Sequence, residues 1–164
     1  MLSAGSFLQF SPENLTFHVI TNGTRLKKLS GSSDYQTVFM NKFVWEQAVF
    51  SVKLVTVTNV GIMIGVVKNA PSMTVGILQN YGWYFKMNGE LFAKGIKYNQ
   101  TGTFYVAPTI VTVQVDILNK IIQYKVNGIS TGFIHYMSIT DSDMLLLRPT
   151  VYIVNLNDVL DIVP

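Results

Sequence analysis

Residues 111–128, VTVQVDILNKIIQYKVNG, alternate apolar and polar side chains, break once at Asn119-Lys120, and then alternate again. A period of two is that of a strand with one buried face, and it excludes an amphipathic helix, whose apolar positions recur every 3.6 residues. Folded as a hairpin about Asn119 and Lys120, the stretch pairs Ile117 with Ile122, Val115 with Tyr124, and Val113 with Val126, all apolar and all on one face. On the other face Asp116 then meets Gln123, and Gln114 meets Lys125. A slip of one residue would set apolar against polar along the whole ladder, so the face assignment is strongly specified. A two-residue loop suits Asn119 and strains Lys120, because both positions need positive φ. A longer loop from Leu118 to Ile121 gives the same pairing.

The rest of the chain repeats the pattern. Strand-like segments fall at 15–20, 44–58, 61–67, 82–87, 103–117, 121–127, 130–136 and 146–155, separated by turn-forming clusters. Asn-Gly, a strong hairpin signal, occurs three times, at Asn22-Gly23, Asn88-Gly89 and Asn127-Gly128. No ten residues hold a 3.6 period with a cap at each end. Regularly spaced short strands without helices predict an all-β antiparallel sandwich or barrel. With 164 residues, no linker and no internal repeat, one domain spanning 1–164 is expected.

Composition restricts the chemistry. There is no cysteine, hence no disulfide, thiol nucleophile or thiolate zinc site. His18 and His135 are far apart, and each alternates with apolar neighbours, so both read as packed histidines. No metal-binding spacing, phosphate loop or nucleophile elbow is present, and Glu46, Glu90 and Asp116 are not brought together by any motif. The expectation is a protein without catalytic activity, cofactor or metal. The N-terminus lacks a basic and apolar leader, and no apolar run approaches spanning length, which fits an intracellular, cytoplasmic setting without a membrane span.

Net charge is +3, with much of the excess in Arg25, Lys27 and Lys28. So local a cluster reads as a solvated loop and makes a nucleic-acid face a poor expectation. Only 13% of residues are charged, about half the ordinary fraction, and mean hydropathy is +0.33. Apolar side chains must therefore cover part of the exterior, as they do at interfaces.

Taken in order, the segments resemble the SPRY (B30.2) domain over about residues 15–163. VWEQAVFSVK at 44–53, GIMIGVVKN at 61–69, YGWYFKMNGELFAKG at 81–95, VTVQVDILNKIIQYKVNGISTGF at 111–133 and LLLRPTVYI at 145–153 are similar to the family's successive motifs. Two positions depart from it: Asn119-Lys120 replaces a usual glycine turn, and Arg148 precedes Pro149. The resemblance implies a bent two-sheet β-sandwich of jelly-roll type, acting as a protein-interaction module with its ligand held by loops at one rim. It leaves little chain for an added effector, so action through the surface alone is expected.

In members that grip peptides, the pocket corresponds to His18, Val19, Ile20 and Thr21, to Lys68, Asn69, Ile77 and Leu78, and to Val154, Asn155 and Asn157, with Tyr152 as either core or contact. Val19, Ile20 and Thr21 stand where such pockets carry arginine and proline. Trp45 and Trp83, inside matched strands, read as core. The expected role is a stably held subunit of a larger intracellular assembly, bound through rim loops and exposed apolar surface. The alternative is a lectin-like carbohydrate binder built on Tyr81 or Trp83 beside Asn80 and Asn88.

Overall fold

The computed structural model describes residues 8–13, 15, 18–29, 36–44, 46–58, 61–68, 81–139 and 147–164. Thirteen strands occur among them: β1 (His18–Thr21), β2 (Arg25–Lys28), β3 (Gln36–Phe39), β4 (Gln47–Thr56), β5 (Met63–Lys68), β6 (Gly82–Lys86), β7 (Glu90–Ala93), β8 (Ile96–Gln100), β9 (Thr109–Asp116), β10 (Ile121–Val126), β11 (Ile129–Tyr136), β12 (Leu147–Ile153) and β13 (Val159–Val163). They form two antiparallel sheets, ordered β1-β2-β13-β4-β9-β10-β11 and β3-β12-β5-β6-β7-β8. The predicted sandwich is therefore the fold.

Alternation sets the inner face. Ala48, Phe50, Val52 and Leu54 of β4 and Val111, Val113 and Val115 of β9 are buried with Ile64, Val66, Phe85 and Val151 of the opposite sheet in one core. Each such side chain contributes about 1.5–3 kcal/mol on burial. Trp83 lies in the same core, as expected from its strand.

The decisive hairpin keeps its predicted faces but not its register. Val115 pairs with Ile122, Tyr124 with Val113, and Val126 with Val111, two residues from the predicted alignment. A shift of two preserves the faces, so burial does not decide between the two alignments. The loop decides. Asp116 accepts from the Asn119 backbone N–H at 2.9 Å and from its amide at 2.8 Å, while Lys120 takes φ 57°. Ile117 leaves the ladder and donates its N–H to the Glu46 carbonyl at 2.7 Å. The loop thus runs over the four residues 117–120.

Five strands, β2, β3, β7, β8 and β13, lie outside the segments expected from the periodicity. β2 overturns the reading of Arg25, Lys27 and Lys28 as a solvated loop. Leu26 and Lys28 alternate inward and are buried, while Arg25 makes a two-pronged pair with Asp161 of β13, both bonds 2.7 Å. At the other extreme, 103–108 are not strand, and β9 begins at Thr109.

The six-stranded sheet is buried on both faces at its centre. Its outer side gathers Phe39, Met63, Val67, Tyr84 and Tyr152 into a second cluster. Tyr84 and Tyr152 hydroxyls lie 3.0 Å apart with their rings edge-on, so each buried phenol has a partner. Arg148, the departure before Pro149, belongs to this face. Its guanidinium donates twice to the Met40 carbonyl, lies 4.6 Å from the Phe39 ring, and pairs with Glu13 at 2.8 Å. It therefore ties the N-terminal lead to the sheet.

These pairs predict an acid limb to stability. Hydrogen bonding to Arg148 holds Glu13 below its ordinary 4.5, and bonding to Arg25 holds Asp161 below 3.8. A carboxylate depressed in the folded state stabilises above its unfolded pKa, and that contribution disappears as pH falls through the folded value. The thermal midpoint should hold from neutral pH down to the ordinary carboxylate range and fall below it. In Arg148→Met the acid limb should be shallower, and calorimetry finding it unchanged would remove Glu13 from the account. Buried Tyr84 and Tyr124 are pushed well above their ordinary 10.0, chiefly by burial. Their neutral forms favour folding, so stability should also decline as pH rises past that value.

Candidate functional site

Cross-strand pairing places the strand ends on two rims. Along one rim, Lys28 pairs with His18, Val159 with Lys27 and Thr56, Thr109 with Leu54, and Ile129 with Val126. The chain leaving β12 after Ile153 enters this same rim. At the opposite rim, Leu147 opens β12 beside Lys68.

This splits the sequence-predicted pocket. Lys68 and Val154 flank opposite ends of β12, about 20 Å apart at 3.3 Å per residue. His18, Val154, Asn155 and Asn157 share one rim, and Thr21 points toward the other, at the far end of β1. Tyr152 is fully buried against Tyr84, which makes it core and removes it as a contact in this arrangement. Val19 is exposed and Ile20 is partly buried against the core. Asn69, Ile77, Leu78, Trp45 and Asn80 lie outside the described residues.

The turn at 154–158 has the most constrained geometry on the first rim. The Lys28 ammonium, fully buried, donates to the Val154 carbonyl at 2.5 Å. Asp158, also fully buried, accepts from the Thr58 N–H at 2.8 Å, the Thr58 hydroxyl at 2.9 Å and the Asn155 amide at 3.2 Å. Backbone bonds from Asn157 to Lys28 (3.0 Å) and from Lys28 to Asp158 (3.2 Å) close the turn, with Asn157 at φ 68°. A buried charge is tolerated only when hydrogen-bonded in this way. Neither Lys28 nor Asp158 was singled out from the sequence as part of a site. The inward alternation of Leu26 and Lys28 was the available signal.

The turn projects Leu156 into solvent. Leu29 follows β2 on the same rim, Val106 precedes β9, and Ile129 opens β11. Phe104 precedes Tyr105, whose N–H donates to the Met87 carbonyl just beyond β6. These five large apolar side chains are 50% to 75% exposed. The opposite rim carries Tyr81, Ile96, Leu118 and Tyr136, also exposed.

Among the described residues, the carbohydrate platform expected at Tyr81 or Trp83 is not joined by Asn88. Trp83 is core, and Asn88 lies beyond the other end of β6 from Tyr81, donating to Glu90 at 2.7 Å. His135 is half-buried and stacked on Tyr98, ring centroids 4.2 Å apart, with its pKa lowered by burial. Among the described residues no three His, Asp or Glu side chains gather to hold a metal ion. Among the described residues, no helix is long and apolar enough to cross a membrane.

No family model matches the sequence, and no curated protein matches it. Solved structures do match the fold. The SPRY domain of human HERC1 is 19% identical, with a TM-score of 0.72 over 93% of this chain and 96% of that one. The TRIM65 PSpry domain is 10% identical, with a TM-score of 0.71 over 96% and 90%. The Drosophila melanogaster neuralized NHR1 domain is 16% identical, with a TM-score of 0.67 over 96% and 98%.

Proposed function

We propose that this chain, which has the fold of the SPRY domains, is a non-catalytic protein-interaction module, held stably within a larger intracellular assembly through the rim that bears the 154–158 turn. The observation that carries the reading is the fixation of that turn. Lys28 and Asp158 hold its backbone from inside the fold, so Leu156 is presented without loop ordering on binding, which saves entropy for every contact it makes. Leu29, Val106, Phe104 and Ile129 extend the apolar surface along the same strand ends. An exposed apolar cluster of this kind is what the core of a protein interface requires.

The test is affinity capture with the intact chain, comparing wild type with Leu156→Asp and Val106→Asp on this rim and Leu118→Asp on the other. A partner retained by Leu118→Asp and lost, by at least tenfold, from both rim variants supports the assignment. A partner that survives both rim variants overturns it. Stable incorporation has its own measurement. The isolated chain, with its apolar rim uncovered, should self-associate at moderate salt and neutral pH. Light scattering that finds a concentration-independent monomer would replace the stable subunit with a transient reader.

A further inference from the structure

The outer face of the seven-stranded sheet carries a second, chemically different surface. Cross-strand register arranges it in rows. One row runs Gln47, Asp116, Ile121 and Tyr136 across β4, β9, β10 and β11, and the next runs Val49, Gln114, Gln123 and Ile134. Neighbours in a row are about 4.8 Å apart and the rows about 6.8 Å. Between them lies a shallow depression of about 180 Å³, lined by the three glutamines and Asp116 together with Ala48, Val49, Val115 and Ile121.

The amides are held in place and only partly used. Gln123 donates to Gln114 at 3.2 Å, and Gln47 donates to Asp116 at 3.1 Å. A pair of amides joined by one hydrogen bond leaves one carbonyl and one NH2 group facing outward, whichever way the pair is turned. Asp116 already accepts from Gln47 and twice from Asn119, so it fixes the Gln47 amide and leaves that side chain's carbonyl free. The depression thus offers donors and acceptors alternating at strand spacing, with a fixed carboxylate and no cation in either row. At its margin the Tyr136 ring is 71% exposed.

Such a surface suits a neutral ligand whose groups both donate and accept. Hydroxyls do this, whereas an apolar protein segment would bury amides without partners, and a cationic or anionic one would find no matching charge array. The exposed ring beside the amides suits the apolar face of a pyranose. We propose that this face is a carbohydrate subsite, taking one residue of a neutral glycan, with Gln123 and Gln114 reading its hydroxyls and Tyr136 stacking on its ring. It is separate from the interaction rim, and either can fail without the other.

The experiment is a glycan array of neutral hexose and pentose oligosaccharides, probed with the intact chain and with Gln114→Leu, Gln123→Leu and Tyr136→Ser. Each variant is first checked for an unchanged thermal midpoint. Since Tyr136 is an exposed position, at least that variant should stay folded. Binding to one or more neutral glycans, weakened tenfold or more by either glutamine change and severalfold by Tyr136→Ser, supports the site. A blank array with folded wild-type chain overturns it, as does binding that ignores all three changes. If the array is blank and the glutamine variants instead lose a captured protein, the face is a protein surface and the glycan assignment falls.

Discussion

Gly65→Ala is expected to cost about 3 kcal/mol or more, enough to threaten a fold whose total stability is about 5–15 kcal/mol. Gly65 lies in β5 opposite Tyr84 of β6, at the centre of the sheet that is buried on both faces. A Cβ built there would sit 1.9 Å from the Trp83 carbonyl oxygen and 2.9 Å from both the Trp83 carbonyl carbon and the Tyr84 Cα. All three are backbone atoms, so no rotamer change relieves the clash. The strands would have to separate, breaking the β5–β6 ladder and displacing Trp83 from the core. Gly128 supplies the control. It sits at φ 81° in the β10–β11 turn with nothing within 4 Å of an added Cβ. Alanine there meets only the left-handed backbone penalty, about 1–2 kcal/mol. Urea midpoints should therefore rank wild type above Gly128→Ala, and Gly128→Ala well above Gly65→Ala. Equal midpoints for the two variants would show that β5 and β6 separate at little cost and that their close approach is not a constraint.

The strand ends at Lys68 and Val154 show where sequence reading stops. Strand positions follow from local periodicity, and so did the sandwich and the buried faces of 111–126. Which rim a loop occupies follows from strand direction, and in an antiparallel sheet neighbours run oppositely. The segment after β5 and the segment after β12 therefore leave from opposite ends of a paired ladder, so Lys68 and Val154 separate although both follow strands. Lys28 reads as solvated in the sequence, and Asp158 is passed over, for another reason. Charged residues are almost never fully buried, and their partners, Val154 and Thr58, are 126 and 100 residues away in sequence. The two-residue slip of the central hairpin belongs to the same class. Apolar pairing is identical in both registers, and only the capping of the loop by Asp116 separates them.

Val115→Asp and Asp116→Asn are adjacent in sequence and should differ most in effect, because they occupy opposite faces of β9. Val115 is 2% exposed, pairs with Ala48 and Ile122, and lies in the main core. A carboxylate there would sit among the apolar side chains of that core, and a cost on the order of 4 kcal/mol or more is expected for an unpaired buried charge. Asp116 faces outward, and asparagine keeps its shape and one acceptor for Asn119, so the loss should stay near 1 kcal/mol. Both deficits should shrink as pH falls, but over different pH windows. Burial raises the pKa of the carboxylate introduced at 115, so the folded variant favours the protonated form. Its deficit is largest at neutral pH and shrinks as pH falls through the raised folded value toward the ordinary carboxylate range. At Asp116 the pKa is lowered, first by the Asn119 backbone N–H, so wild type holds that contribution at neutral pH and loses it in acid. Asp116→Asn therefore converges on wild type below the ordinary carboxylate range. Urea titrations at pH 7 and pH 4.5 should find Val115→Asp far less stable than Asp116→Asn at the higher pH, with the gap narrowing at the lower. Two variants of equal stability at pH 7 would place 115 and 116 on the wrong faces, and with them the core, the loop and the outer surface built on that strand.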